Sequence, residues 1–157
     1  MKANVWIVNT VDFSSLLLAA LVVGAMFGVW LSSNPAGMEF GDYVAMQQRN
    51  IRCLNTVMPL LGGLAALCTV AAAVMSAGQS PRLTLLIGAA ACLVIGGLIT
   101  KFANQPINST VMGWSHELAS TDWTRLRDTW WYWHIARLVF GVVGLSLLII
   151  GVLERRG

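Results

Sequence analysis

The segment Trp130-Trp131-Tyr132-Trp133-His134-Ile135-Ala136-Arg137 runs straight into uninterrupted apolar sequence. On a helix, positions i, i+4 and i+7 share a face, so Trp130, His134 and Arg137 line up along one side and Gly141 continues it. Arg137 falls at least one turn inside the apolar run, where a charge costs about 2.5–3.5 kcal/mol on insertion scales. Such a residue either faces a bundle interior with a partner or snorkels to the headgroups. His134 on the same face favours the interior. His134 and Arg137 are therefore the leading candidate functional residues of this face. Trp131, Tyr132 and Trp133 have a plainer alternative as an interfacial aromatic belt.

Two further polar groups interrupt apolar sequence. Gln48, Arg52, Asn55 and Pro59 fall at i, i+4, i+7 and i+11, with Gln47 and Asn50 on a neighbouring strip. This reads as one helix, polar along one side at its start and bent where Pro59 frees a backbone carbonyl. A solvated pre-helix would account for Arg49 but not for Asn55. Farther on, Asn104-Gln105-Pro106-Ile107-Asn108 follows an apolar run. Pro106 biases Gln105 towards an extended backbone, so this pattern is expected to cap the helix and redirect the chain at the membrane surface. Trp114, His116, Asp122, Trp123, Arg125 and Arg127 come next. Brought together, Gln47, Asn50, Asn55, Asn104, Asn108, Trp114, Trp123 and Trp130 would form an apolar pocket with a few polar groups, the usual make-up of a small-molecule site.

Elements long enough to position these groups are visible in the composition. Of 157 residues, 57% are hydrophobic and 11% charged, and mean hydropathy is +0.70. A soluble domain is nearer 45–50% apolar and about 25% charged. The chain therefore reads as one integral membrane domain spanning residues 1–157. A span needs about 20 apolar residues, and four runs qualify: 13–31, 54–77, 83–100 and 131–153. The first is expected to be a retained span, because it is too long for a signal peptide and has Asp12 where such a peptide is basic. Ala20, Gly24 and Gly28 recur at every fourth residue, as do Gly88, Cys92 and Gly96, and both stripes suit close helix packing. The expected fold is all-α, a transmembrane four-helix bundle with two long loops on one side and both termini with the short 76–82 turn on the other.

The charge pattern excludes other classes. A net charge of +3 with scattered basic residues offers no nucleic-acid motif. Cys53, Cys68 and Cys92 form no CxxC, and no metal site is expected. Lys2, Arg82, Arg155 and Arg156 on the terminal side nearly balance Arg49, Arg52, Lys101, Arg125 and Arg127 on the other. Residue counts thus leave orientation open, and the unencumbered Arg155-Arg156 pair favours cytoplasmic termini in the cell membrane.

The sequence resembles the DUF1772 family of small four-span membrane proteins, also called anthrone oxygenase-like. The resemblance is carried by Met46-Gln47-x-x-Asn50, Met58-Pro59, Asn104-x-Pro-x-Asn108 with Trp114, Asp122-Trp123, and Trp130-x-x-Trp133-His134-x-x-Arg137. Gln105 stands where the family more often has Val. The resemblance implies a four-helix bundle and, for some members, oxidation of anthrones to anthraquinones by O₂. On that reading His134 is the base, Arg137, Asn108 and Asn55 stabilise an enolate oxygen, Trp114, Trp123 and Trp130 stack on aromatic rings, and no cofactor is needed. Two alternatives stay open: a quinone- or haem-binding electron-transfer protein with His134 as ligand, and a non-catalytic subunit of a larger membrane complex or homo-oligomer.

Overall fold

The computed structural model describes residues 4–78, 80–115 and 121–154. Among them every regular element is helical: α1 (Val5–Ser32), α2 (Phe40–Leu54), α3 (Val57–Met75), α4 (Ser80–Ile99), a π-helical turn (Thr100–Asn104), α5 (Gln105–Met112) and α6 (Trp123–Leu153). The π turn joins α4 to α5 without a break, so the chain crosses in four long pieces, Val5–Ser32, Val57–Met75, Pro81–Met112 and Trp123–Leu153. Each is long and apolar enough to span a membrane, and the protein is a four-helix membrane bundle. His116 lies outside the described residues.

Three local features differ from the expectations above, each for a physical reason. The two long connections are largely helical rather than loops. In α2, Tyr43, Val44, Gln47, Gln48 and Ile51 are buried while Asp42, Arg49 and Arg52 are exposed, so the segment is an amphipathic helix with a face to bury. Next, the polar strip at 48–59 is not one helix. α2 ends at Leu54 with Asn55 as its C-cap, and α3 restarts after Thr56. Pro59 therefore sits in the first turn of α3, where a missing N–H removes no helical hydrogen bond, and it does not bend a span. Finally, Asn104-x-Pro-x-Asn108 does not redirect the chain. Gln105 is helical (φ −63°, ψ −39°), and the widened π turn just before it accommodates the Pro106 ring within a continuing helix.

Both connections meet at one end of the bundle, as expected. Gln48 Nε2 donates to the carbonyls of Val111 and Trp114 at 3.0 Å each, tying α2 to the end of α5. Tyr43, Val44, Ile51, Ile107, Val111 and Trp130 form an apolar cluster under this cap. At the other end, Arg82 donates to Asp12 Oδ1 and to Ser76 Oγ, both at 2.6 Å, joining α4, α1 and the end of α3 in a buried ion pair.

Small residues set the helix spacing along α6. A Cβ on Gly144 would lie 3.0 Å from Cys92 Cβ, and one on Gly88 would lie 3.2 Å from Leu147, so the Gly88-Cys92 stripe does pack against α6. The Ala20-Gly24-Gly28 stripe does not pack. Those residues are exposed, and nothing lies within 4 Å of a Cβ built on Gly24 or Gly28.

Candidate functional site

α6 passes beneath the cap and presents Trp130, His134 and Arg137 to the bundle interior. His134 is fully buried. Its Nε2 lies 3.1 Å from the Met26 carbonyl of α1. A carbonyl only accepts, so Nε2 carries the proton and Nδ1 keeps its lone pair. That lone pair faces Arg137, whose Nη2 and Nε stand 2.9 and 3.3 Å away. Arg137 Nη1 donates to Thr100 Oγ1 at 3.3 Å, at the start of the π turn. The imidazole is stacked on Trp130, with centroids 5.2 Å apart and planes 6° from parallel, and Arg137 also lies over the Trp130 ring. The histidine is thus fixed on two helices with only its Nδ1 lone pair available for chemistry, and the guanidinium covers that lone pair.

Arg137 borders two spaces. One is a cavity of about 280 Å³, near the lower end of the ~300–1,000 Å³ usual for small-molecule sites. Its walls are Val22 and Met26 of α1, Met58 to Ala66 of α3, Cys92 to Gly97 of α4, and Gly141 of α6. Its polar atoms cluster at one end, with Thr100, Lys101, Gln105 and Arg137. The other space is a smaller chamber of about 50 Å³ towards the cap, where Gln47, Asn50, Asn55, Asn108, Trp130, His134 and Arg137 share the lining with apolar residues of α1, α2 and α3. Met26, Met58, Pro59, Thr100 and Arg137 form the shared wall.

The chamber is ordered by hydrogen bonds. Trp130 Nε1 donates to Asn108 Oδ1 at 2.8 Å, and Asn108 Nδ2 donates to Asn55 Oδ1 at 2.9 Å. Asn50 Nδ2 reaches Ser33 Oγ at 3.3 Å. Gln47 is 1% exposed, and neither side-chain amide atom has a hydrogen-bond partner among the described residues.

Of the residues singled out from sequence, Gln47, Asn50, Asn55, Asn108, Trp130, His134 and Arg137 are brought together. Three are not. Asn104 donates to the Trp130 carbonyl at 3.1 Å and so holds the π turn against α6, without lining either space. Trp114 and Trp123 lie in the cap around Phe40, with centroids 5.7 and 5.4 Å from its ring, and belong to its apolar packing. Conversely, Met26, Thr100 and the single glycines of the walls carry no mark of a site in the sequence, while Lys101 stands out there only as a loop charge and Gln105 only as a departure from the family's Val. The Gly62-Gly63 and Gly96-Gly97 pairs were the available signal, because adjacent glycines in two spans leave room as readily as they allow packing.

The model of the family described as anthrone oxygenase matches residues 51–147, which cover α3 to α6 with most of the site. The chain belongs to this family. No curated protein and no solved structure matches it. The matched segment contributes Asn55, Asn108, Trp130, His134 and Arg137, whereas Gln47 and Asn50 come from α2 ahead of it. Among the described residues no three of His, Cys, Asp or Glu converge.

Proposed function

We propose that the protein is a membrane oxygenase that removes a proton from an acidic C–H of a flat apolar substrate and lets the resulting enolate react with dioxygen. One observation carries this reading. Arg137 is a guanidinium inside a span, and no carboxylate pairs with it: the ion pairs among the described residues are Arg82–Asp12, Arg125–Asp122 and Arg127–Asp128. A charge in that setting calls for a partner. An oxyanion held in the adjoining apolar cavity supplies one.

The chemistry follows for an anthrone-type methylene. The substrate carbonyl oxygen draws Arg137 towards the cavity, which uncovers the Nδ1 lone pair of His134. Nδ1 takes one methylene proton, and Arg137 holds the enolate oxygen. The electron-rich carbon reduces O₂ and bonds to it, giving a substrate peroxide anion. The imidazolium protonates the peroxide, and Nδ1 then takes the second C–H proton as the O–O bond breaks, leaving a ketone and a hydroxide that recovers this proton to form water. One O₂ is consumed, and the methylene becomes a carbonyl plus water. Asn55 and Asn108 hold Trp130 flat on the imidazole, which keeps the ring in place through these proton transfers. A cell-membrane location with cytoplasmic termini completes the reading, supported by the four spans and the Arg155-Arg156 pair.

The test separates proton abstraction from oxygenation. The purified protein in nanodiscs should exchange the anthrone methylene protons for deuterium without O₂, and with O₂ should consume one O₂ per anthraquinone formed. His134→Gln should lose both activities while still binding anthrone. Full exchange and turnover in that variant would sink the assignment.

A further inference from the structure

The cavity is open on the side between α3 and α4. Its rim is formed by Pro59 and Gly63 of α3, and by Val94, Gly97 and Lys101 of α4 and the π turn, all of them exposed. Every one lies within a helix long and apolar enough to cross the membrane. At the far end α3 and α4 are held together by the 76–78 turn and by the packing of Ala72, Ala73, Leu86 and Ala89. Towards the cap nothing lies within 4 Å of a Cβ built on Gly62, Gly63 or Gly97. The gap is therefore walled by absent side chains.

Depth places the charges. At about 1.5 Å per residue, the 20 residues from Pro81 to Lys101 rise roughly 30 Å, the thickness of the hydrocarbon core. Lys101 thus stands at headgroup level and Gly97 one turn deeper. Arg137, 16 residues back from Leu153, lies about one turn inside the same boundary. The cavity lining holds two cations and no acidic residue. Its apolar body faces hydrocarbon, and its positive end faces the interface.

Resting on the reading of this cavity as the substrate site, we propose that it fills sideways from the bilayer through the gap between α3 and α4. It selects flat amphiphiles that carry an acidic oxygen, and Lys101 at the rim draws that oxygen in before passing it to Arg137. Such a molecule concentrates where the rim opens, with its rings in the hydrocarbon and its anion among the headgroups. Approach through water would instead have to pass the cap of α2 and α5.

The probes are 9-anthracenecarboxylate and anthracene, with binding read anaerobically by tryptophan-to-anthracene energy transfer in phosphatidylcholine nanodiscs, relative to empty discs. No turnover is required, so binding of these probes by a protein that consumes no O₂ with anthrone would overturn the oxygenase reading and leave this one standing. Wild type should bind the carboxylate at least tenfold more tightly than anthracene. Lys101→Gln should lose several-fold of that preference, with anthracene unaffected. Gly97→Phe and Gly63→Leu should each slow association of both probes at least tenfold without lowering the unfolding temperature, since a Cβ at either position meets open space. Unchanged association in both glycine variants would overturn the lateral route. Equal binding of the two probes would overturn the acidic selectivity. Loss of carboxylate binding when phosphatidylglycerol is added would show that a lipid phosphate occupies the cations, which overturns the substrate assignment.

Discussion

At the scale of single residues, the site depends on which polar atoms are paired and which are not. Asn108 serves two partners at once, accepting from the Trp130 indole and donating to Asn55. Asn108→Leu would leave a buried indole N–H without an acceptor, at about 1–3 kcal/mol. A lower unfolding temperature in detergent together with reduced turnover is expected, and an unchanged temperature would remove Asn108 from the network. Tyr43 is the opposite case. Its hydroxyl is buried without a partner among the described residues, and burial pushes the phenol above its ordinary range. Tyr43→Phe deletes only that unsatisfied atom, so stability should hold or rise by up to about 1 kcal/mol, read from the same unfolding curves. For Arg137, the fork geometry matters as well as the charge. It reaches His134 Nδ1 and Thr100 together, which a lysine ammonium cannot reproduce. Arg137→Lys should therefore cut kcat by about 10²-fold, in line with loss of an oxyanion donor, even though the charge is kept.

At the scale of elements, glycines do two different jobs that look alike in sequence. On α6, Gly144 lets α4 approach: a Cβ there would sit 3.0 Å from Cys92 Cβ and 3.3 Å from the Ala89 carbonyl. Gly144→Ala must push two backbones apart and should cost about 1–3 kcal/mol. On α3, Gly63→Ala meets nothing and should leave the unfolding temperature where it is. Equal effects from the two changes would mean that the α3–α4 gap is closed in the membrane. The Arg82–Asp12 pair pins the opposite end of the bundle, with side chains 2% and 7% exposed. Asp12→Ala would strand a buried guanidinium and cost about 3–5 kcal/mol. The pair is remote from the cavity, so its loss should show in unfolding rather than in the affinity of the folded fraction for substrate.

At the scale of the whole molecule, the bundle is polarised end to end. The cap, the smaller chamber and the cationic rim are all at one end, and the buried ion pair closes the other. With the termini in the cytoplasm, the cap faces outward and brings the exposed Cys53 with it. A membrane-impermeant maleimide should then label Cys53 on intact cells, whereas Cys68 and Cys92, inside the spans, should stay unreacted. Labelling of Cys53 only after the cells are opened would reverse the orientation.

Sequence by itself determined the spans, the family, the shared end of the two long connections, and the Trp130-His134-Arg137 face. The spans and the face are local, because apolar length and the helical repeat act within one segment; the shared end follows from counting four crossings, and the family from motifs in order along the chain. Tertiary structure decided what local rules leave free. Pro59 and Pro106 both looked like interruptions, and only the surrounding helices show that one begins a span while the other is carried through by a π turn. The tautomer of His134 rests on a carbonyl 108 residues away, which no side-chain pattern encodes. Trp114 and Trp123 have the same aromatic character as Trp130, yet the packing of α2 and α5 claims them for the cap. The cavity itself is a space between four helices, and a sequence specifies such a space only through the side chains that fail to fill it.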